Sequence, residues 1–492
     1  MARGPRKTFD IPLRVRGPDG KSVEMRKTLP LLSDVESVKR PGGIVWNYQT
    51  AFLGANSGIE DAHSQALVER DTSSEAPSGD LLFFAVMDGH AGPYTSKLLS
   101  KVLIPAVAME ISSLISTPSP YSPPKPGLSL SYAKSLLSFS KTIPAPSKYE
   151  FDADPTYVEL AIKTAFAKLD SHIVNAPIQL LERIKADQSD TKPYEHPMAS
   201  AVMLPSMSGS CALLAMLDTA RRNMYVACTG DSRAVAGYWE EPSDGSPGYW
   251  RAEVLTEDQT GRNPNELKRI QSEHPPDEAS SVIQRGRILG GLEPSRAFGT
   301  LPRSEPVTPG TDHRSPRPDL KTPPYVTSEP VVTHRKLSFL PDPSSNRSGS
   351  PADKDSTSKS TLKFVVLATD GLWDQLSSRE VVSLVGGYMS GLKGAVPKPV
   401  LAASVRETVG AEGVQGKEEK DTGKARKAGQ WAFIDEHVGT HLIRNAFGGA
   451  DREHLARLVS IPDGLARSFR DDVTVTVIWY DAAPKEEVKA KL

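Results

Sequence analysis

The chain is poor in the residues that mark several classes of functional site. Among 492 residues there are two cysteines, Cys211 and Cys228, and the ten histidines form no close-spaced cluster with them. This composition argues against a disulfide framework and disfavours a zinc site of the structural or protease kind. Both cysteines stand in apolar, strand-like stretches typical of buried, inert thiols, so a covalent cysteinyl-phosphate mechanism is disfavoured.

Net charge and long apolar runs are also missing. The 59 basic residues nearly balance the 60 acidic residues, so no global field attracts nucleic acid, and a nucleic-acid partner is not expected. No run of eighteen apolar residues occurs, so no membrane span is expected. The apolar content of 38% is low for a globular chain, and 41 prolines indicate that part of the chain lies outside the core.

Two apolar runs each lead directly into an Asp-Gly pair. The first ends in Asp88 and the second in Asp370, so both acids are predicted to lie at strand ends. Taken singly, each pair is an ordinary turn. Two further strand-like runs, however, also carry acids: one leads to Asp231 and the other begins with Asp471 and Asp472. A further acidic group, Glu60-Asp61, stands in NSGIEDAHSQ.

Carboxylates that converge from distant segments repel one another unless a cation neutralises them. Oxygen ligands favour magnesium or manganese over zinc. Two such cations activate a water and clamp a phosphoryl group for in-line attack, so hydrolysis of a phosphate ester is the leading hypothesis.

Seven motifs in order resemble those of the metal-dependent protein phosphatase 2C family, over roughly residues 43–480. They are GIEDAHSQ, FFAVMDGHAG, SGSCALLAMLD, VACTGDSRAVAG, GGLEPSRAFGT, FVVLATDGLWDQLS and RDDVTVTVIWY. Four further segments resemble the mitochondrial pyruvate dehydrogenase phosphatase group within that family: LGANSGIEDAHS, SEHPPDEASSVIQRGRILGGLEPSRAFG, TPPYVTSEPVVTHRKL and GTHLIRNAFGG. The resemblance implies an α+β fold, a four-layer α-β-β-α sandwich of two antiparallel sheets flanked by helices. Patterning alone supports only a mixed α+β domain.

The resemblance also implies roles for individual residues. The expected cofactors are two Mg²⁺ or Mn²⁺ ions per active site, with a third, weaker ion at Asp231. The metal-site residues carried over are Glu60, Asp61, Asp88, the carbonyl of Gly89, Asp231, Asp370 and Asp471. Asp61, Asp88, Asp370 and Asp471 are therefore the catalytic acids, and Glu60 orders a water. His90 is expected to protonate the leaving serine or threonine oxygen. His63 and His274 are expected to be structural.

Four positions depart from the usual family pattern. Asn56 stands where an Arg normally clamps the substrate phosphate. The pyruvate dehydrogenase phosphatase group also lacks that Arg. Asn56 is expected to bind phosphate through hydrogen bonds without adding charge. Gln259 replaces a His, and Thr300 replaces an Asp that normally ends the RAFG motif. Asp472 stands where Asn is common, which predicts that it supports the site without binding metal itself.

The family resemblance and the uneven composition together favour one large domain with inserts. Residues 1–42 form a basic arm, either a remnant of a mitochondrial targeting segment or a solvated extension. Residues 43–482 form the catalytic domain and 483–492 a tail. Within the catalytic domain we expect Pro/Ser-rich inserts near 113–154 (with a short helix at 132–140), 301–318 and 344–360, and a charged loop near 411–430.

The sequence thus predicts a metal-dependent protein serine/threonine phosphatase. Its expected partner is a phosphoprotein, either the pyruvate dehydrogenase complex or another mitochondrial protein, and the mitochondrial matrix is favoured over the cytoplasm. Two alternatives remain open. One is a catalytically weak or silent scaffold with the phosphatase fold, suggested by Gln259, Thr300 and the inserts. The other is a hydrolase of small phosphate esters.

Overall fold

The chain folds into two compact units, each built from several stretches of sequence. The computed structural model describes residues 7–16, 22–31, 38–40, 44–56, 58–69, 79–116, 154–187, 192–299, 321–337, 358–410, 429–462 and 465–482. The first unit comprises residues 1–59, 233–257 and 336–492, and the second comprises residues 60–232 and 258–335.

Strands and helices are numbered here in chain order. The strands are β1 (Lys7–Arg16), β2 (Ser22–Leu31), β3 (Val38–Arg40), β4 (Ile44–Leu53), β5 (Ala62–Glu69), β6 (Asp80–Met87), β7 (Gly89–His90), β8 (Gly209–Ser210), β9 (Ala212–Asp218), β10 (Asn223–Thr229), β11 (Arg233–Pro242), β12 (Tyr249–Val254), β13 (Ile283–Gln284), β14 (Arg287–Ile288), β15 (Phe298–Gly299), β16 (Val331–Lys336), β17 (Ser358–Ala368), β18 (Gly394–Pro397), β19 (Val405–Val409), β20 (Gln430–Phe433) and β21 (Val473–Ala482). The α-helices are α1 (Tyr94–Ser116), α2 (Pro155–Ala186), α3 (Ala199–Met207), α4 (Pro264–Glu273), α5 (Pro276–Ala279), α6 (Asp370–Trp373), α7 (Ser378–Met389), α8 (Lys398–Ala402), α9 (Val438–Phe447) and α10 (Arg452–Val459).

The first unit is a seven-stranded sheet covered by helices. Its strand order is β19-β12-β11-β17-β21-β4-β3, and the pairs are antiparallel except for β12 with β19. Helix α7 begins at a capping box in which Ser377 and Glu380 satisfy each other's backbone N–H groups. Its apolar face joins α9 and the sheet in a core that includes the buried rings of Trp250, Phe364 and Trp431. Burial of this apolar surface stabilises the unit.

The second unit is a five-stranded sheet in the order β16-β10-β9-β6-β5, with its own helices. Every residue of β6 is buried, as its continuous apolar sequence predicts. Helices α1 and α2 cover the sheet, and Phe166 of α2 packs against Phe298 with ring centroids 5.2 Å apart. Asp154 caps α2 by accepting a hydrogen bond from the Thr156 N–H, and Pro155 occupies the first turn, where no intrahelical donor is lost.

The predicted α+β class is confirmed, since each unit pairs an antiparallel sheet with helices. Strands and helices extend into the predicted arm, inserts and loop at several points. Strand β3 adds residues of the predicted arm to the edge of the first sheet, α1 continues to Ser116, and β17 begins at Ser358. The short helix predicted at 132–140 and most of the four inserts lie outside the described residues. Among the residues described, no helix is long and apolar enough to cross a membrane.

Asp170 of α2 gives the second unit a testable pH dependence. Its carboxylate accepts a hydrogen bond from the Gly299 N–H at 2.8 Å, yet burial outweighs that bond and the Ser328 hydroxyl and raises the pKa of Asp170 to about 7. An unfolded Asp titrates near pH 3.9, so the folded state holds the extra proton between about pH 4 and 7. The stability contributed by this proton is present below pH 4 and is lost as pH rises to 7, by up to about 1.4 kcal/mol per pH unit.

We expect Asp170→Asn to remove this dependence while keeping an acceptor oxygen for Gly299. The free energy of unfolding of the variant, relative to the unmodified chain, should rise between pH 5 and pH 8 in parallel urea titrations. A difference that stays constant across that range would show that Asp170 does not titrate there.

Candidate metal centre

The predicted acids of the second unit lie at one end of its five-stranded sheet. Ala62 pairs with Met87 at the end of the β5–β6 ladder, so Asp61 and Asp88 follow as neighbours beyond it. Beside Asp88 lies Cys211, whose N–H donates to the Asp88 carbonyl at 2.8 Å. Thr229 pairs with Ala212, and the chain then turns through Gly230 to Asp231. Adjacent strands lie about 4.8 Å apart, so the register sets Asp61 beside Asp88. Asp231 follows β10, which is separated from β6 by β9.

The carboxylates of Asp88 and Asp231 lie close together. Each offers a carboxylate oxygen within 4.8 Å of the other, and Asp231 is buried. The Cys211 thiol lies 3.2 Å from Oδ1 of Asp231 and donates to it. Burial, reinforced by the negative charges of Asp231 and Asp88, raises the pKa of the Cys211 thiol well above its ordinary value. Cys211 therefore stays protonated and serves Asp231 as a hydrogen-bond donor.

Glu60 and Gly89 are held together at the same sheet end. Oε1 of Glu60 accepts the Gly92 N–H at 2.7 Å, and the Glu60 carbonyl accepts the Ser96 hydroxyl. A Cβ at Gly89 would lie 2.3 Å from the Glu60 carbonyl oxygen, so only glycine fits after Asp88. The Asp-Gly pair seen in the sequence is thus a requirement of close backbone packing.

His90 follows on the short strand β7. It pairs with Gly209 of β8, and β8 pairs in turn with β15 of the RAFG motif. One residue, Gly89, separates Asp88 from His90, and the pairing of β7 with β8 fixes the backbone of both Gly89 and His90. His63 lies within β5, and His274 stacks on Tyr325 with ring centroids 4.5 Å apart.

The remaining predicted acids lie together at one end of the seven-stranded sheet in the first unit. Ala368 pairs with Val475 and Val473 pairs with Leu53. Three neighbouring strands, β17, β21 and β4, thus carry the predicted residues at the same end. Those residues are Asp370 after β17, Asp471 and Asp472 before β21, and Asn56 after β4. Thr369 fixes the junction, because its N–H donates to the Thr474 carbonyl at 3.0 Å and its hydroxyl accepts the Thr474 N–H.

Asp472 holds the segment that follows β4 at this sheet end. It is buried, and its carboxylate accepts hydrogen bonds from the Ala55 N–H and from both the backbone N–H and the side-chain amide of Asn56. The Asn56 amide that was predicted to bind phosphate thus donates to Asp472 at 3.0 Å. Asp471 accepts the Asp472 N–H and forms an ion pair with the partly exposed Arg467.

The donor chemistry in the second unit fits a hard divalent cation. Asp61 and Asp231 are only 4% and 3% exposed, and Asp88 lies beside both. Packing like charges this closely is unfavourable without a positive charge to offset them. Carboxylate oxygens are the ligands that magnesium and manganese prefer, whereas the buried Cys211 is held as a thiol and is unsuited to ligation.

Two residues support the site in a way that the sequence does not predict. Gln259, treated there as a departure, is buried and its side chain bonds to the Cys228–Gly230 turn. Cys211, expected to be an inert thiol, is buried but donates to Asp231. Cys211 lies directly before β9, and only the strand register shows that this position is beside Asp88 and Asp231. Thr300 lies outside the described residues.

Comparison with known proteins identifies the family of the chain. The sequence profile described as Protein phosphatase 2C matches residues 159–403. The mitochondrial pyruvate dehydrogenase (acetyl-transferring) phosphatase 1 of Saccharomyces cerevisiae is 33% identical over 470 residues, covering 90% of this chain and 70% of the yeast protein. A protein phosphatase 2C homolog from Schizosaccharomyces pombe is 30% identical, covering 97% and 89% of the two chains.

A mammalian relative shows the same pattern. The mitochondrial pyruvate dehydrogenase (acetyl-transferring) phosphatase 1 of Rattus norvegicus is 31% identical, covering 89% of this chain and 78% of the rat protein. These matches extend over most of both chains, well beyond the seven motifs, and confirm the resemblance read from them. The chain belongs to the protein phosphatase 2C family of metal-dependent protein serine/threonine phosphatases.

Proposed function

We propose that the chain hydrolyses phosphoserine and phosphothreonine in the pyruvate dehydrogenase complex, or in another mitochondrial phosphoprotein, with two Mg²⁺ or Mn²⁺ ions. The observation that carries the proposal is the juxtaposition of Asp61, Asp88 and Asp231 at one sheet end. The substrate and the mitochondrial setting are supported by relatives from yeast and rat whose names state both.

In this proposal Asp61, Asp88 and the Gly89 carbonyl are the cation ligands of the second unit, and Asp370 and Asp471 are the cation ligands of the first unit. When bound, the cations lower the pKa of a water molecule and offset negative charge on the phosphoryl group. Asp231 serves a third, weaker cation. Glu60 orders water near the site, which its fixed bond to the Gly92 N–H supports.

Two other side chains act on the substrate. His90 donates a proton to the serine or threonine oxygen as it leaves. Asn56 contacts the phosphate through hydrogen bonds without adding charge, and its bond to Asp472 sets its orientation. Arg467 and the Asp472 N–H both contact Oδ1 of Asp471, and the second carboxylate oxygen is the one that we assign to a cation.

A peptide assay tests the activity. Purified protein with Mn²⁺ should release phosphate from a phosphoserine peptide of the pyruvate dehydrogenase complex, and a chelator should stop the reaction. Activity that is absent with Mn²⁺, and unchanged by chelation, would contradict the proposal and favour the silent scaffold.

Substrate choice needs a separate comparison. We expect turnover of the phosphorylated pyruvate dehydrogenase complex to exceed that of free phosphoserine and of an unrelated phosphoprotein. Equal turnover of free phosphoserine would favour the hydrolase of small esters. Preference for the unrelated phosphoprotein would refute the proposed substrate while leaving the phosphatase activity standing.

A further inference from the structure

A buried amide holds the turn that presents Asp231. The Gly230 N–H donates to Oε1 of Gln259 at 2.7 Å, and Nε2 of Gln259 donates to the Cys228 carbonyl at 3.0 Å. The backbone adds a third bond, from the Gln259 N–H to the Gly230 carbonyl at 3.0 Å. Gln259 is 3% exposed, so these bonds form away from solvent. The residue just before Asp231 is thus held through both of its backbone polar groups.

The opposite side of the turn leaves no room for movement. Gly230 has a φ of +110°, and a Cβ there would lie 2.2 Å from the Cys211 sulfur. The Cys211 thiol donates to Asp231, while its N–H donates to the Asp88 carbonyl. Asp231 is therefore fixed from two directions, by Gln259 through the backbone and by Cys211 through the carboxylate.

We propose that Gln259 is a positioning residue that, with Cys211, holds the Asp231 carboxylate beside Asp88 for cation binding. This inference rests on the proposed function in one respect, namely that Asp231 binds a cation. Gln259 contacts no reacting group in this account and acts only through the turn.

The chemistry of an amide explains why glutamine suits this place. It offers an acceptor and a donor on one uncharged group, so it satisfies a backbone N–H and a backbone carbonyl together. A buried backbone group that loses its partner is costly, so the turn shifts when the amide is removed. Loss of such an outer partner of a metal ligand typically weakens metal binding by about 10–100-fold.

Gln259→Met tests the proposal, because methionine keeps the length of the side chain and removes both of its hydrogen bonds. Mn²⁺ binding is measured by calorimetry on the full chain, and the Mn²⁺ dependence of phosphopeptide hydrolysis is measured alongside. We expect the weaker class of Mn²⁺ sites to lose affinity by about tenfold or more. The kcat at saturating Mn²⁺ should change much less than the Mn²⁺ concentration needed for half-maximal activity.

A double-mutant cycle separates positioning from a loss of fold. With Asp231→Asn as the background, Gln259→Met should cause no further loss of Mn²⁺ affinity, since its effect passes through Asp231. An equal loss in both backgrounds would overturn the proposal. So would an Asp231→Asn variant that binds Mn²⁺ as the unmodified chain does.

A further variant guards against misfolding. Gln49→Met is the matched control, because Gln49 is a buried glutamine of the first unit whose Oε1 accepts the Val438 N–H at 2.7 Å. It should lower stability without changing Mn²⁺ affinity, and an equal loss of affinity would overturn the proposal.

The outcome is distinguishable from failure of the proposed function. If the unmodified chain binds Mn²⁺ but cleaves no phosphopeptide, the proposed function fails, and the calorimetric cycle still decides the role of Gln259.

Discussion

Asp88→Asn is expected to abolish phosphopeptide hydrolysis and to remove the strong binding of Mn²⁺. Asp88 lies between the other two acids of the second unit's site. It neighbours Asp61 across the β5–β6 ladder, and one of its carboxylate oxygens lies within 4.8 Å of a carboxylate oxygen of Asp231. An uncharged amide at this position removes a carboxylate ligand outright. The loss should therefore exceed the roughly 10–100-fold that removal of an outer partner causes.

Calorimetric titration with Mn²⁺, followed by the peptide assay, measures both effects. Asp80→Asn is a suitable control, because Asp80 is a buried acid at the opposite end of the same strand. It should leave Mn²⁺ affinity unchanged. Strong Mn²⁺ binding by Asp88→Asn would exclude Asp88 from the metal centre.

Asp88→Asn should also be close to neutral for folding, or stabilising, in the absence of metal. The unmodified chain places Asp88 among other acids, and the amide removes one of the repelling charges. Chelator-treated protein should thus unfold at an equal or higher urea concentration after the substitution. A large destabilisation would mean that Asp88 also has a structural role.

His90→Ala is expected to slow hydrolysis of a phosphoserine peptide by about 10²–10⁴-fold, the usual contribution of a general acid. Hydrolysis of p-nitrophenyl phosphate should fall far less, because its leaving group departs without a proton. His90 lies two residues beyond Asp88 on a backbone held by the pairing of β7 with β8. Its removal should therefore leave the acids in place.

Rates on both substrates, measured at saturating Mn²⁺, decide the role of His90. Equal losses on the two substrates would rule out proton donation to the leaving oxygen. His172→Ala provides the control, because His172 is an exposed histidine on α2 of the same unit and should affect neither rate.

The sequence identified the acids, their strands and the family before any coordinate was known. Apolar runs that end at Asp-Gly place Asp88 and Asp370 at strand ends, because a buried strand requires continuous apolar residues and glycine permits a close exit. These features are local, so local residue preferences suffice to predict them.

Tertiary structure alone decided which residues support the acids. The register of β6, β9 and β10 brings Cys211 between Asp88 and the Gly230 turn, although Asp88 lies more than a hundred positions before Cys211 in the sequence. The pairing of β4 with β21 brings Asn56 to Asp472 in the same way. Strand pairing depends on which distant segments bury their apolar faces together, and no local pattern records that choice.

Gln259 shows most clearly which roles the sequence alone does not predict. In the sequence it is a departure from the family pattern, and in the structure it is a buried clamp on the Cys228–Gly230 turn. The sequence determined the family of this chain and predicted the acids of its metal site. Only the fold determined how each acid is held, because hydrogen bonds between distant backbone groups form after the sheets have set their register.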